Sequence, residues 1–281
     1  MGDSLEAAIV SFTTGLLFVS VIALFRKDVR SGFRQIFSAV NLKLLPSWRL
    51  GAGALGASFV AMQTYAVPIA GVALFTVASL AGQTGISLWV DHVGLAGGSR
   101  VIITKQRVIA AIITILAVVV STWDRFTISN FSLLTIVLAV FSGTWVGVQR
   151  ALNGQINSYS KASFATSLLN FITGTTFLLF LLLLRTLFTD HSVMNFTSGP
   201  WWMFLGGSIG VIYIALSAHI VQYVGVLEFT LFSVGGMLIG SLLIDIIVPT
   251  KGTIISGFLI AGILLTYLGV IANGQSRFSR K

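Results

Sequence analysis

The sequence of 281 residues contains no cysteine and few charged residues. The absence of cysteine excludes disulfides, thiolate nucleophiles and cysteine metal ligands. Charged residues make up 9% of the chain, whereas a soluble domain carries roughly 25%. So small a charged fraction cannot solvate a globular surface, and a soluble fold is therefore excluded.

Two enzyme signatures are also missing. The sequence contains no GxxxxGK[ST] phosphate loop and no HExxH motif. The first belongs to P-loop ATPases and the second to zinc proteases. We therefore expect a protein that is not an enzyme and that holds no cofactor and no metal ion.

The sequence does contain long apolar runs. Hydrophobic residues make up 56% of the chain, and many runs reach about 20 residues, the length of a membrane-spanning helix. Membrane β-barrels have alternating rather than continuous apolar segments, so helices are indicated. We predict an all-α integral membrane protein of about nine transmembrane helices. The predicted spans are Ser4–Phe25, Leu50–Val67, a helix that follows a turn at Pro68–Gly71 and ends near Asp91, Val108–Trp123, Leu133–Leu152, Phe164–Leu184, Trp201–Val224, Leu227–Val248 and Thr253–Ile271.

The first half of the chain is repeated in the second. Residues Pro46–Asp91 align without a gap with Pro200–Asp245, and Ser4–Arg26 aligns with Ser163–Arg185. An internal duplication follows, with a first repeat at 1–123, a linker at 124–131 and a second repeat at 132–281. Matched residues include Trp48 with Trp202, Gly53 with Gly207, Gly71 with Gly225, Gly82 with Gly236, Asp91 with Asp245, Phe12 with Phe171 and Gly15 with Gly174.

Lysine and arginine predict the orientation. If the N-terminus lies outside and each span crosses once, nearly all of them fall on the inside, as the positive-inside rule requires. The C-terminus is then cytoplasmic, and the net charge of +9 reflects topology rather than nucleic-acid binding. The inside set is Arg26, Lys27, Arg30, Arg34, Lys43, Arg49, Arg100, Lys105, Arg107, Arg150, Lys161, Arg277, Arg280 and Lys281, and the outside set is Arg125, Arg185 and Lys251. The segment from Arg26 to Arg49 is expected to be a basic loop, and the segment that ends at Arg107 is expected to be a second loop.

In this topology the repeated segments Ser4–Phe25 and Ser163–Leu184 cross the membrane in opposite directions. Inverted repeats are typical of secondary transporters, whose substrate site lies near the bilayer midplane between the halves. The helix Leu133–Leu152 has no counterpart in the first repeat, so the repeats hold four and five helices. Either the start is truncated, or a nine-span form is real.

Three segments of the sequence resemble a known family. GTWVGVQRALNGQINSYS, ATSLLNFITGTT and AGQTGISLWVDHVGLAG are similar to the YdcZ-like inner-membrane exporters of the drug/metabolite transporter superfamily. The resemblance covers nearly the whole chain and implies two fused five-helix units of opposite orientation, in an exporter of undefined substrate. The chain departs from the family in lacking the opening helix of its first unit. The resemblance rests on Asn153 with Gln155, Asn170 with Phe171 and Gly82 with Gln83, the last pair being replaced in the second repeat by Gly236 with Met237.

Four polar residues are candidates for a substrate or ion path. Glu228 lies in an apolar span, where a carboxylate is costly and points to function. It could exchange a proton against a cationic substrate, or it could be a solvated residue near the cytoplasmic surface. Gln83 and Gln63 lie mid-span, where a polar side chain either lines a path or pins two helices together. Asn170 suits helix contact somewhat better than ligand contact.

Aromatic and imidazole side chains are further candidates. Trp89, Trp145, Tyr65 and Tyr213 could stack on a flat or cationic ligand. His219 has no second ligand at metal spacing, which favours a hydrogen-bonded core histidine over a metal site and leaves a proton relay open.

Two polar groups are predicted to have structural roles. Asn153, Gln155 and Asn157 are expected to form a polar cap and loop at the cytoplasmic face. Asp91 and Asp245 end helices, where a carboxylate opposes the helix dipole. Each of these two acids is therefore expected to have a positive partner, and the alternative is an interfacial anchor.

These features favour a secondary transporter of the plasma (inner) membrane. We expect it to export a small organic solute by alternating access between inverted repeats. Its partners would be the lipid bilayer and the solute, without nucleic acid, and both homo- and heterodimers stay open. The alternative is a non-transporting membrane subunit, or one half of a heteromeric pair whose partner supplies the missing helix.

Overall fold

The computed structural model describes residues 4–70, 72–97, 100–121, 123, 133–188, 201–247 and 257–278. Within these ranges every element of regular structure is helical, which confirms the all-α prediction there. The predicted linker 124–131 lies outside the described residues. The helices are α1 (Ser4–Phe25), α2 (Lys27–Asn41), α3 (Ala52–Ala70), α4 (Val72–Val93), α5 (Lys105–Ser121), α6 (Leu133–Ser160), α7 (Ser163–Phe188), α8 (Leu205–Val224), α9 (Val226–Ile247) and α10 (Gly257–Phe278), with 3₁₀ turns at Ser47–Gly51 and Trp201–Phe204.

Three of the described helices are long and apolar enough to cross a membrane. They are α1, α7 and α8, and shorter apolar stretches lie at Val226–Met237 in α9 and Ile260–Gly269 in α10. These helices fit a membrane protein. The count of nine spans and their division into four and five remain predictions.

The segment predicted as a basic loop after α1 is an amphipathic helix. Arg26 has an extended backbone (φ −106°, ψ 112°) and separates α1 from α2. Val29, Gly32, Ile36 and Ala39 recur every three or four residues along α2 and are buried, which is the spacing of one helix face. The prediction failed because a high density of charge was interpreted as a loop, although these apolar residues kept helical spacing.

The helix α6 is longer than predicted. It was expected to end at Leu152, with a polar cap and loop after it, but it continues to Ser160. The turn after it is made at Lys161, whose φ of +53° is the left-handed conformation that commonly ends helices. The polar residues between Leu152 and Ser160 therefore belong to a helix face.

The described helices form two compact units. Unit 1 contains residues 1–65, 95–99 and 148–223, and unit 2 contains residues 66–94, 100–147 and 224–281. Unit 1 combines α1 and most of α3 from the first predicted repeat with α7 and α8 from the second. Unit 2 combines α4 and α5 with α9 and α10. The repeat boundaries at 123 and 132 stay a prediction from the sequence.

In unit 1 the two aligned helices α1 and α7 pack on each other through matched residues. The rings of Phe12 and Phe171 have centroids 5.1 Å apart at an angle of 38°. A Cβ added at Gly15 would lie 2.1 Å from the Phe171 ring, and one added at Gly174 would lie 2.3 Å from the Phe12 ring. Each phenylalanine thus fills the space above the glycine of the other helix.

The next pair of matched residues repeats this exchange. A Cβ at Gly53, at the start of α3, would lie 2.0 Å from the carbonyl oxygen of Asn170 on α7. A Cβ at Gly207, at the start of α8, would lie 2.2 Å from the carbonyl oxygen of Ser11 on α1. In each pair, a residue of one repeat makes the contact that its matched residue makes in the other repeat. A two-fold axis produces such reciprocal contacts, so α1, α3, α7 and α8 have local two-fold symmetry.

Unit 2 is also assembled through small residues. A Cβ at Gly82 of α4 would lie 2.0 Å from the carbonyl oxygen of Val140, in the N-terminal half of α6, and one at Gly143 would lie 2.0 Å from that of Ser79. In α10, a Cβ at Gly269 would lie 2.8 Å from Thr114 Oγ1 of α5. Small residues allow such close approach between apolar helices.

Candidate functional site

One face of α6 carries a row of buried amides in unit 1. Gln149 Nε2 donates to Asn170 Oδ1 at 3.1 Å, and Asn170 Nδ2 donates to Asn153 Oδ1 at 2.9 Å. Asn170 is 1% exposed. The three side chains join α6 to α7 in one chain of hydrogen bonds, which supports the helix-contact role for Asn170.

The row continues towards the end of α6. Asn157 Oδ1 accepts a hydrogen bond of 3.3 Å from Thr166 Oγ1, and Asn153 and Asn157 are both buried. Gln155 instead accepts a hydrogen bond from Arg49 Nη1. The predicted cap and loop at these positions is therefore wrong, because tertiary contacts with α7 and with the turn before α3 hold these side chains on a continuous helix.

Arg150 lies beside this row and contacts a different helix. It is 4% exposed, its Nη2 donates to the Tyr213 hydroxyl oxygen of α8 at 2.6 Å, and its guanidinium carbon lies 5.8 Å from the Tyr213 ring centre. The sequence prediction counted Arg150 in the inside set near the end of the span Leu133–Leu152, and the structure gives it a buried position within α6. A buried guanidinium in an apolar bundle is the kind of group that marks a functional site in membrane proteins.

Tyr213 was predicted as a candidate, and the structure gives it a defined partner. Tyr213 is 40% exposed, while its hydroxyl oxygen accepts a hydrogen bond from Arg150. The pair therefore combines a buried cation with an accessible aromatic face. A signal for Arg150 was present in the sequence, since helical spacing continues through Gln149, Asn153 and Asn157 without a proline.

Unit 2 holds a second buried charge cluster. Asp91 Oδ2 accepts a 2.5 Å hydrogen bond from Arg107 Nη2, and both side chains are almost fully buried. Asp91 also accepts hydrogen bonds from the backbone N–H groups of Val226 at 2.7 Å and Leu227 at 3.1 Å. The expected positive partner of Asp91 is confirmed as Arg107, whereas the side chain of Asp245 lies outside the described residues.

This carboxylate fixes the start of α9. Gly225 has φ +90°, and a Cβ there would lie 3.0 Å from Asp91 Oδ2. The negative charge lies at the positive end of the α9 dipole and satisfies two of its free N–H groups. The interfacial-anchor alternative for Asp91 does not fit so complete a burial.

The remaining polar candidates of unit 2 lie on α4 and α9. Gln83 is buried beside the Gly82 contact, and its Oε1 has no hydrogen-bond partner among the described residues. One turn further along α4, the hydroxyl oxygens of Ser87 and Thr230 lie 3.2 Å apart and link α4 to α9. Glu228 lies half-buried in the first turn of α9. It follows Val226 and Leu227, whose N–H groups donate hydrogen bonds to Asp91.

The other predicted candidates are divided between the two units. Tyr65 of α3 and Trp89 of α4 are exposed, and Gln63 is half-buried. Trp145 is half-buried and makes an edge contact with Phe141 at 5.1 Å.

His219 is not the core histidine expected from the sequence. It is exposed on α8 and meets Tyr223 edge-on at 5.3 Å. The prediction rested on the depth of His219 within its span, but α8 buries only one face and His219 is not on it.

Comparison with known proteins gives the family. A family model described as "Putative inner membrane exporter, YdcZ" matches residues 1–120 and 134–272. The chain belongs to this family. The YdcZ resemblance of its sequence segments is therefore confirmed, and with it the classes of inner-membrane protein and exporter.

Other comparisons add the fold alone. No curated protein matches this YdcZ-family chain. A crystal structure titled only as that of a protein matches with a TM-score of 0.66 and 17% identity, covering 98% of this chain and 89% of its own.

Proposed function

We propose that the protein is a secondary transporter that exports a small organic solute by alternating access between its inverted repeats. The observation that carries this proposal is the reciprocal packing in unit 1, in which Phe12 covers Gly174 and Phe171 covers Gly15. Matched residues that exchange contacts support a duplicated pair of helices related by a two-fold axis. Such an axis makes two opposite openings of a central site nearly equal in energy, which is what alternating access needs.

The family model supports the same reading. Its two matched segments, 1–120 and 134–272, end and begin within a few residues of the predicted repeat boundaries. The orientation is also part of the proposal, with the C-terminus cytoplasmic by the positive-inside rule. Removing the buried Arg107 and Arg150 from the predicted inside set leaves that bias intact.

We propose that Arg150 and Tyr213 line the solute path in unit 1. Glu228 and Gln83 remain candidates from the sequence prediction. Burying a guanidinium inside an apolar bundle costs free energy, and such a residue usually has a functional role. The amide row Gln149–Asn170–Asn153 has a different role, since its hydrogen bonds are used in holding α6 to α7.

Flux into proteoliposomes tests the proposal. The wild-type protein should move at least one member of a library of small organic solutes down an imposed gradient. Arg150→Gln should lower the rate at least tenfold, because it removes the charge that contacts Tyr213. Lys105→Gln removes an exposed cation from unit 2 and should leave the rate within twofold. A wild-type protein that moves no solute, or an Arg150→Gln variant as fast as wild type, would contradict the proposal at the level of function or of site.

A further inference from the structure

The amphipathic helix α2 lies at the ends of two apolar spans. It begins one residue after α1 ends, and Arg30 Nη1 donates to the last carbonyl oxygens of α1, those of Ala23 (2.8 Å) and Leu24. On its other side, a Cβ at Gly32 would lie 2.7 Å from Ala162 Cβ, in the turn between α6 and α7. Because α1 ends and α7 begins beside it, α2 lies at the level where apolar spans leave the bilayer.

The two faces of α2 have opposite chemistry. Val29, Ile36 and Ala39 are buried against α6 and α7. Lys27 and Arg34 lie on the opposite face and are exposed. The apolar face is thus already occupied by protein, and the basic face is the one presented outward.

The charge of this surface is not cancelled within the described chain. Residues 26–49 contain six lysines and arginines and one acid, Asp28. That carboxylate pairs with Arg26, with Nη2 and Oδ2 2.6 Å apart. This leaves Lys27, Arg34 and Lys43 without an acidic partner in the segment.

Large apolar side chains lie on α2 and at both of its ends. Phe25 is 83% exposed and Leu42 66% exposed, and Phe37 on α2 is also exposed. A polyanion in water, such as a nucleic acid, would leave these side chains in solvent. A phospholipid offers both a phosphate for the cations and acyl chains for the apolar groups.

We propose that the exposed basic face of α2 binds the headgroups of anionic phospholipids through Lys27 and Arg34. The occupants are anionic phospholipids, with their phosphates at the cations and their acyl chains beside the exposed apolar side chains of this segment. This binding anchors the end of unit 1 in the interface and does not depend on transport. It makes the stability of the α1–α2 corner sensitive to lipid charge.

Lipid binding to the full chain in a neutral detergent tests the inference. The probes are dioctanoyl-phosphatidylglycerol, dioctanoyl-phosphatidylcholine and glycerol phosphate, with affinities measured by native mass spectrometry. Each cation near a membrane surface contributes about fivefold, so Lys27→Gln with Arg34→Gln should weaken phosphatidylglycerol binding about 25-fold. The control, Arg100→Gln with Lys105→Gln, removes the same charge from exposed positions of unit 2. It should change the affinity for phosphatidylglycerol less than twofold.

Three results would overturn the inference. The first is equal affinity of the wild-type protein for the two lipids, which needs no variant at all. The second is an equal effect of the two double variants. The third is glycerol phosphate binding as tightly as phosphatidylglycerol, which would indicate a site for a free phosphate. The charge-conserving pair Lys27→Arg with Arg34→Lys should keep phosphatidylglycerol binding, which separates loss of charge from loss of fold.

Discussion

Replacing Asn170 with alanine tests whether the buried amide row holds unit 1 together. The substitution removes the hydrogen bonds of Asn170 to Gln149 (3.1 Å) and to Asn153 (2.9 Å). Hydrogen bonds between helices in membranes average about 0.6 kcal/mol and reach about 1.7 kcal/mol. Losing two of them should lower the free energy of unfolding by about 1 to 3 kcal/mol.

Unfolding of the purified protein by sodium dodecyl sulfate, followed by circular dichroism, measures this loss. Thr186→Ala is the matched control, because Thr186 is exposed on the same helix and its Oγ1 donates to the carbonyl oxygen of Leu183 within that helix. Its substitution should cost less than about 0.5 kcal/mol, as surface changes do.

A double-mutant cycle isolates the hydrogen bond itself. Asn153→Ala and Asn170→Ala share one bond, so their costs should add to more than the cost of the double variant, by about 0.6 to 1.7 kcal/mol. Fully additive costs, or an Asn170→Ala variant as stable as the Thr186→Ala control, would refute the reasoning. A variant that unfolds normally but loses transport would instead make Asn170 a ligand contact.

Three further predictions concern other contacts. Gly15→Ala should lower the free energy of unfolding by about 1 to 3 kcal/mol, since its Cβ would lie 2.1 Å from the Phe171 ring. The control Gly85→Ala should be neutral or stabilising, because a Cβ at Gly85 would have nothing within 4 Å. Equal costs of the two variants would contradict the packing. Asp91→Asn should cost about 3 to 5 kcal/mol because it leaves a buried guanidinium uncompensated, and a thermal-unfolding scan showing no loss would argue against the buried pair. The hydrogen bond from Arg26 lowers the pKa of Asp28, so this exposed pair contributes at neutral pH and its contribution is lost as pH falls through that lowered pKa. Asp28→Asn should therefore differ only slightly from wild type at neutral pH in a pH series of unfolding curves, and the difference should shrink with added salt and vanish in acid.

The sequence predicted those features that depend on local pattern. The bounds of α1 were predicted to the residue, because the apolar run is closed by Arg26 and needs no neighbour to define it. The basic segment after it was mistaken for a loop, because the partner of Val29 and Ile36 is the corner of α6 and α7, more than 100 residues further along the chain. A charge count cannot show that such a segment has an apolar surface to pack on.

The candidate site was predicted less well for a related reason. Tyr213 was singled out for its aromatic ring, yet its partner Arg150 was counted only as a topology charge, because a lysine or arginine near a predicted span end is usually a topology signal. What decides its role is burial against α8, 63 residues away. In the same way Arg107 was counted as a loop charge, although the unbalanced carboxylate of Asp91 predicted that some cation had to be near.

The residues that break the duplication are the ones that can give an exporter its specificity. Contacts shared by both repeats, such as Phe12 on Gly174 and its counterpart, need only be stable and can be the same twice. A solute without two-fold symmetry must meet different groups on the two sides of such an axis. In this chain Glu228 is matched in the sequence by leucine and Gln83 by Met237. These polar candidates therefore break the duplication, whereas the matched residues form the packing of the scaffold.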